Sequence, residues 1–336
     1  MDSLTHIALG ACIGEAFFEK GFGKKAMWWG AFAQSIPDID FISSFWLTTS
    51  EALLAHRGFT HSLFFLVLIV PLLSSFAYHI HKPRDISFNK WFIFFTIEVS
   101  VHLFIDAFNN YGIGWFEPFA HDRFSFNVIY VVDPFFSIPL GVAFLMLIFL
   151  NRYHRKRVQW WKIGIIIPFL YLSYCCINKI VISQKIQEEF SRQKINHSQF
   201  FFTPAPIQNW LWFVVAGDSS GFNIGYYSIF DKTRSLKFHY FPRNDFLLTE
   251  ISDHENLQRL KRFSKGFYTV SQINDTLIFN DLRFGQINGW TNYQNKFVFH
   301  YYLSHINNEK LLIQKGRFSS FTMFGIQSLI KRIEGN

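Results

Sequence analysis

The first half of the chain is written in long apolar runs and the second half in short alternating ones. Up to about residue 183, polar residues gather between the runs. Beyond it, polar and apolar positions alternate with the period of two that marks a half-buried strand. Four runs read as membrane spans: Phe59–Ile80, Trp91–Phe108, Pro134–Leu150 and Trp160–Ile182. Each is about 17–23 residues, enough to cross roughly 30 Å of hydrocarbon at about 1.5 Å per residue. Two shorter helices, Leu4–Phe18 and Ala26–Ile36, precede them and read as a partly inserted hairpin. The pattern predicts a mainly α membrane domain over residues 1–183, with about six helices, two of them short. Residues 184–336 are predicted to form a β-rich α+β domain outside the membrane. There Leu211–Ala216 and Asn223–Phe230 flank Gly217–Gly221 as a hairpin, and Thr276–Asn280 and Lys296–Ser304 read as further strands. His254–Arg262 reads as a helix, Thr203–Pro206 as a leading loop and Asn280–Gly285 as a polar turn.

Composition supports the membrane reading. Of 336 residues, 44 are Phe, 50% are hydrophobic and only 17% are charged, too apolar for an ordinary soluble domain. Cys12, Cys175 and Cys176 all lie in apolar runs, which argues against a disulfide framework. A cleavable signal peptide is not expected, because Asp2 and His6 stand where a basic n-region would be. A net charge of +8 raises the question of nucleic acid, but the basic residues fall where membrane topology needs them. They cluster at Lys20–Lys25, at Lys82, Arg84 and Lys90, and at Arg152, Arg155, Lys156, Arg157 and Lys162. The alternate connections hold little beyond Arg57 and Arg123. The three basic loops are therefore assigned to the cytoplasm. The amino terminus, the loops near 37–59 and 111–132, and everything after Ile182 are assigned outside the inner membrane.

That assignment used no histidine or aspartate, yet it gathers His6, Asp38, Asp40, His56, His61, His102 and Asp106 at the outer ends of their helices. Such groups are costly beside hydrocarbon unless they pair or coordinate an ion. Scattered caps and loop polars would explain Asp38 or Ser62, but not four histidines on one side. His102 and Asp106 are spaced i, i+4 on one helix face, so both can bind one ion, or Asp106 can bridge two. Glu98 lies one turn back, as a partner orienting a histidine or as a paired buried acid. In His56-Arg57-Gly58-Phe59-Thr60-His61-Ser62, Gly58 loosens the backbone, Thr60 or Ser62 caps the next helix, and His61 issues from its first turn. Pro37-Asp38-Ile39-Asp40 ends the second short helix and leaves two carboxylates, of which one or the other is a direct ligand.

The set Thr5-His6 with Gly10, Pro37–Asp40, His56–Ser62, and His102 with Asp106, Asn109 and Gly112 resembles the YdjM-type family of membrane-bound, metal-dependent hydrolases. The resemblance covers about residues 1–150. More distantly it is similar to the zinc-dependent phospholipase C group and its nuclease relatives. Carried over, that resemblance implies His6, Asp38 or Asp40, His61, His102 and Asp106 as ligands of a cluster that cleaves phosphodiesters. Those enzymes have a further His soon after the HxxxD and a later His and Glu on one helix. Here Asn109-Asn110-Tyr111-Gly112 follows, so one or two ions are expected rather than three. Those enzymes also bind metal through a terminal amine, a place that Met1 or Asp2 would have to fill.

The residues alone favour hydrolysis too. Imidazoles and carboxylates suit a divalent ion, zinc first, with manganese or iron as alternatives. Such an ion lowers the pKa of bound water towards about 7 and polarises a phosphoryl oxygen. Arg57 supplies a fork for phosphate, or else snorkels at the interface, and Asp40 and Asp106 are the catalytic carboxylates beside it. His121, Asp122 and Asp133 are further candidates, although Asp133-Pro134 also reads as a helix start. His239, His254, His300 and His305 show no ligand spacing. The expected activity is hydrolysis of a phosphoester or other ester, with a lipid or lipid-linked substrate taken from the bilayer and no nucleic-acid partner. The competing classes are a non-catalytic protein with a structural metal and a transporter with Glu98 and His102 as relay groups.

Overall fold

The computed structural model describes residues 1–81, 86–232, 236–249, 251, 253–303, 312–313 and 323–335, and separates them into two compact units. The first comprises Met1–Ser43 and Ala55–Cys176, the second Ser44–Leu54 and Ile177–Asn336. In chain order the helices are α1 (Ser3–Phe22), α2 (Lys24–Ser35), α3 (Thr49–Ala55), α4 (Leu63–Ile80), α5 (Phe88–Asp106), α6 (Pro134–Phe149) and α7 (Lys156–Gln193). Short 3₁₀ turns cover Pro37–Phe45 and Phe59–His61. Among the described residues, α4, α5 and α7 are long and apolar enough to cross a membrane; Ser3–Phe18 and α6 are apolar but shorter.

Helices α1 and α2 fold back on each other through Gly23, whose φ is 61°. They cross so closely that a Cβ on Gly10 would lie 2.2 Å from the Gly30 carbonyl oxygen, and one on Gly30 1.9 Å from that of Gly10. Any side chain at either glycine would force the hairpin apart. This crossing puts the first turn of α1 beside the last turn of α2. At the opposite end, Glu15 of α1 and Arg157 of α7 form a buried bidentate pair, with both contacts at 2.6 Å. Arg157 also donates to the Leu147 and Leu150 carbonyls, so one guanidinium ties α1, α6 and α7 together. The sequence reading counted Arg157 among the charges of a basic loop; it lies in the first turn of α7, buried and paired. Removing one partner of such a pair costs about 3–5 kcal/mol, because the other is left charged and dry.

The second unit contains two antiparallel four-stranded sheets. One joins β1 (Gln199–Pro204), β2 (Leu211–Gly217), β3 (Gly221–Ser228) and β4 (Phe238–Pro242) in that order. The other joins β5 (Tyr268–Ile273), β6 (Thr276–Gln286), β7 (Phe297–Leu303) and β8 (Leu312–Ile313). Strand β2 is buried on both faces, and its alternation shows why. Trp212, Val214 and Ala216 meet Ile182, Ile186 and Phe190 of α7, while Phe213 and Val215 meet Leu282 and Phe297 of the second sheet. The α3 segment belongs here, with the Ser50 hydroxyl on Asn256 and Glu51 3.1 Å from Arg259 of α8 (His254–Phe263). Helix α9 (Met323–Ile333) packs Leu329 with Ala205 and Leu211.

Several boundaries differ from the sequence reading, each for a local reason. Helix α7 runs eleven residues past Ile182, because Ile182, Ile186 and Phe190 keep an i, i+4, i+8 stripe that packs on β2. Helix α4 starts at Leu63 rather than Phe59, since Ser62 is extended and accepts from the Phe65 N–H at 3.0 Å. Helix α1 reaches Phe22, so the basic Lys20–Lys25 stretch is a helix end and a one-residue turn, not a loop. Asn280–Gly285 is no turn: β6 continues through it, and Asp281 and Arg283, on one face, neutralise each other at 2.6 Å. Thr203 and Pro204 end the edge strand β1 rather than forming a loop. Lys82, Arg84, Ser304 and His305 lie outside the described residues.

Candidate metal centre

Four donors from three segments converge at one end of the first unit. Asp38 comes from the 3₁₀ turn after α2, His61 from the turn before α4, and His102 and Asp106 from the last turns of α5. One ligand atom from each lies within 4.8 Å of all the others. His61 Nε2 stands 3.2 Å from His102 Nε2, 3.4 Å from Asp106 Oδ2 and 3.6 Å from Asp38 Oδ1. His102 Nε2 is 3.7 Å from the same Asp38 oxygen. His61, His102 and Asp106 have no solvent exposure.

The donor chemistry fits a divalent cation. Asp106 Oδ2 is buried and accepts no hydrogen bond, although Arg57 Nε (3.2 Å) and His61 Nε2 (3.4 Å) stand close by. Burial alone would lower the pKa of His61, but contacts with Asp106, Asp38 and Asp40 outweigh it and raise the value to about 10. Burial would likewise raise Asp38, yet His61 and the neighbouring imidazoles hold it well below the usual carboxylate range. The carboxylates thus favour positive charge at this place. Two imidazoles and two carboxylates are donors that zinc, manganese and iron all accept.

The remaining candidates surround this group. His6 lies against it, its ring stacked on His102 at 3.8 Å and its Nε2 3.1 Å from Asp106 Oδ1. The Met1 amino group also meets Asp106, and the Met1 carbonyl accepts from Arg57 Nη2 at 2.7 Å. Asp40 stands outside the four. Its oxygens accept from the Arg57 N–H (2.6 Å) and the Thr60 hydroxyl (3.3 Å), and they face His56 Nδ1 (3.1 Å) and His61 Nδ1 (3.4 Å). Burial raises the Asp40 carboxyl, but these imidazoles overcome it and hold it low. Asp40 therefore turns His61 Nε2 towards the centre. His56 also lies outside the four, paired to Asp40, with 41% of its side chain exposed. The backbone strain sits at Arg57, φ 57°, and not at Gly58.

Arg57 is buried over the Tyr111 ring, and its Nη1 has no partner. Asn109 closes α5 by donating to the Asp106 carbonyl at 2.8 Å and accepting from the Tyr111 N–H. His121 is exposed and pairs with Glu117, and Asp122 is exposed. Asp133 is the N-cap of α6 and accepts from the Tyr171 hydroxyl. Glu98 reaches no histidine directly; it accepts from Gln34, a residue that sequence reasoning passed over. The signal was there, as one long amide after the apolar stretch 26–33, three positions before Pro37-Asp38.

Comparison with known proteins places the first 182 residues. The profile of the YdjM inner membrane protein family matches residues 1–182. Inner membrane protein YbcI of Escherichia coli K12 is 28% identical over 179 residues, covering 47% of this chain and 96% of that protein. YfhP of Bacillus subtilis 168 is 30% identical over 149 residues, covering 41% of this chain and 43% of that protein. No solved structure matches the chain significantly.

Proposed function

The chain belongs to the YdjM inner membrane protein family, and from that premise we propose that it is a metal-dependent hydrolase of phosphoesters or other esters carried by lipids or lipid-linked molecules. The observation that carries the reading is the pairing of a four-donor centre with a buried guanidinium nitrogen that has no partner. Asp38, His61, His102 and Asp106 would hold the ion, with His6 beside them. Once bound, the ion would supply an acidified water and a Lewis acid. Arg57 Nη1 is free to take a non-bridging phosphoryl oxygen, and Asp40 keeps His61 turned inward. His56, partly exposed and paired to Asp40, borders this group on its solvent side.

A lipid substrate is supported by the apolar side chains next to the donors. Leu4, Phe41, Phe59, Phe116 and Phe119 are all substantially exposed, and each lies on a segment that carries or adjoins a donor. Exposed apolar side chains in such a protein are a surface for acyl chains. The test is direct. Purified full-length protein in nanodiscs, loaded with zinc or manganese, is expected to release product from at least one of a panel of phospholipids, lipid phosphates and generic phosphodiesters. Chelation should abolish the release and added metal restore it. A metal-replete protein that cleaves none of them would leave the second reading, a structural metal in a non-catalytic protein, which the complete burial of three of the four donors favours.

The reading includes an orientation, with the donors at the outer face and the second unit outside the cytoplasm. Loop charge supports it: Lys24, Lys25, Lys90, Arg152, Arg155 and Lys156 lie at the helix ends remote from the donors. Reporter fusions at residue 155 and at the carboxy terminus should report opposite compartments. The same compartment for both would reject this topology.

A further inference from the structure

We infer that Gln34 is a positioning residue that fixes the tautomers of two histidines, His6 and His102, and so turns Nε2 of each towards the centre; the inference rests on the metal reading above. Gln34 is fully buried in the last turn of α2. Its side-chain amide has one arrangement that satisfies its neighbours. The Glu98 main-chain oxygen can only accept, and it lies 2.8 Å from one end of the amide, so that end is the NH₂ group. The second NH₂ hydrogen goes to Glu98 Oε2 at 3.2 Å. The carbonyl end, Oε1, must then be the atom 3.2 Å from His6 Nδ1. An amide oxygen accepts, so His6 carries a proton on Nδ1, and the neutral ring turns an Nε2 lone pair outward.

His102 is set by the same residue through a different atom. Helix α2 ends at Ser35, so the Gln34 main-chain carbonyl is among those left without a helical partner. It faces His102 Nδ1 at 2.8 Å. A carbonyl only accepts, so His102 also holds its proton on Nδ1 and presents a bare Nε2. Both rings, stacked at 3.8 Å, therefore aim lone pairs the same way. The His6 lone pair then faces Asp106 Oδ1 at 3.1 Å, and that of His102 faces His61 Nε2 at 3.2 Å. A lone pair against a carboxylate oxygen at that distance is repulsive unless a proton or a metal ion lies between them, and on the metal reading above the ion takes that place. On that reading His6 would add its Nε2 to the four-donor cluster, which does not itself include it.

The experiment uses full-length protein in nanodiscs, with Gln34→Met as a substitution of similar length that offers no side-chain acceptor. Cobalt(II) titration reads affinity and, through its visible absorption, the coordination of the ion. The variant should bind cobalt and zinc roughly 10–100-fold more weakly, the range typical when a ligand histidine loses its partner. Its cobalt spectrum should also change, because His6 can now rotate, a signature that loss of fold stability alone would not give. Equal affinity and an unchanged spectrum would overturn the inference. Should Gln34→Met fail to fold, the wild type decides by nitrogen-15 histidine spectra, assigned with His6→Asn and His102→Asn. Protonated Nδ1 in both rings supports the assignment, and a protonated Nε2 in either metal-loaded ring overturns it. A wild type that binds neither cobalt nor zinc would reject the metal reading itself, and the inference with it.

Discussion

Asp106→Asn is expected to empty the centre of metal and to abolish turnover together. Asp106 is the donor on which the others converge, with Oδ2 facing His61, His102 and Arg57, and Oδ1 facing His6. An amide keeps the volume but removes the anion and halves the acceptor capacity. The fall in affinity should exceed the roughly 10–100-fold seen when only a ligand's partner is removed. Asp106 also compensates Arg57, so the variant leaves a buried guanidinium short of charge and loses stability as well. His102→Gln separates the two effects, because it removes a donor without stranding a cation. Metal analysis of purified protein, wild type beside both variants, is the measurement. If Asp106→Asn and His102→Gln both keep a full complement of zinc, the donor assignment is wrong.

The centre was largely legible in the sequence because its donors obey local rules. His102 and Asp106 share a helix face by spacing alone, and the apolar runs on either side put them at a helix end. His61 was found, but its setting was not: the turn around it is 3₁₀, and Asp40 rather than a helix cap orients it. What separates the four clustered side chains from their supports is tertiary. Asp38 and Asp40 are two residues apart in one motif, yet one meets the donors and the other binds the Arg57 N–H and His56. The motif offered two carboxylates but could not say which goes where. Gln34 and the Glu15–Arg157 pair were missed for the same reason. Each joins residues far apart in sequence, 64 positions for Gln34 and Glu98 and 142 for Glu15 and Arg157. In the second unit, alternation located the strands, but the Asp281–Arg283 pair mimicked a turn by placing charges inside one.

Arg57→Ala should leave the metal in place and remove most of the activity. The guanidinium supplies no ligand atom, so zinc content is expected to match the wild type. Its loss removes a buried donor without a partner, Nη1, from the place where negative charge would develop on a phosphoryl oxygen. Removing a single donor of that kind typically lowers turnover by about 10²–10³-fold. The substitution is a fair test of the side chain because alanine at φ 57° carries much the same backbone strain as arginine. Arg57→Lys refines the result: lysine keeps the charge but not the planar fork, so an intermediate rate is expected if bidentate recognition matters. Arg57 also donates to the Met1 carbonyl and faces Asp106, so thermal unfolding of each variant must accompany the rates. Metal-replete Arg57→Ala that hydrolyses every substrate as fast as the wild type would remove Arg57 from the reaction. The same variant losing its metal would instead recast Arg57 as a support for Asp106, holding the carboxylate in place for the ion.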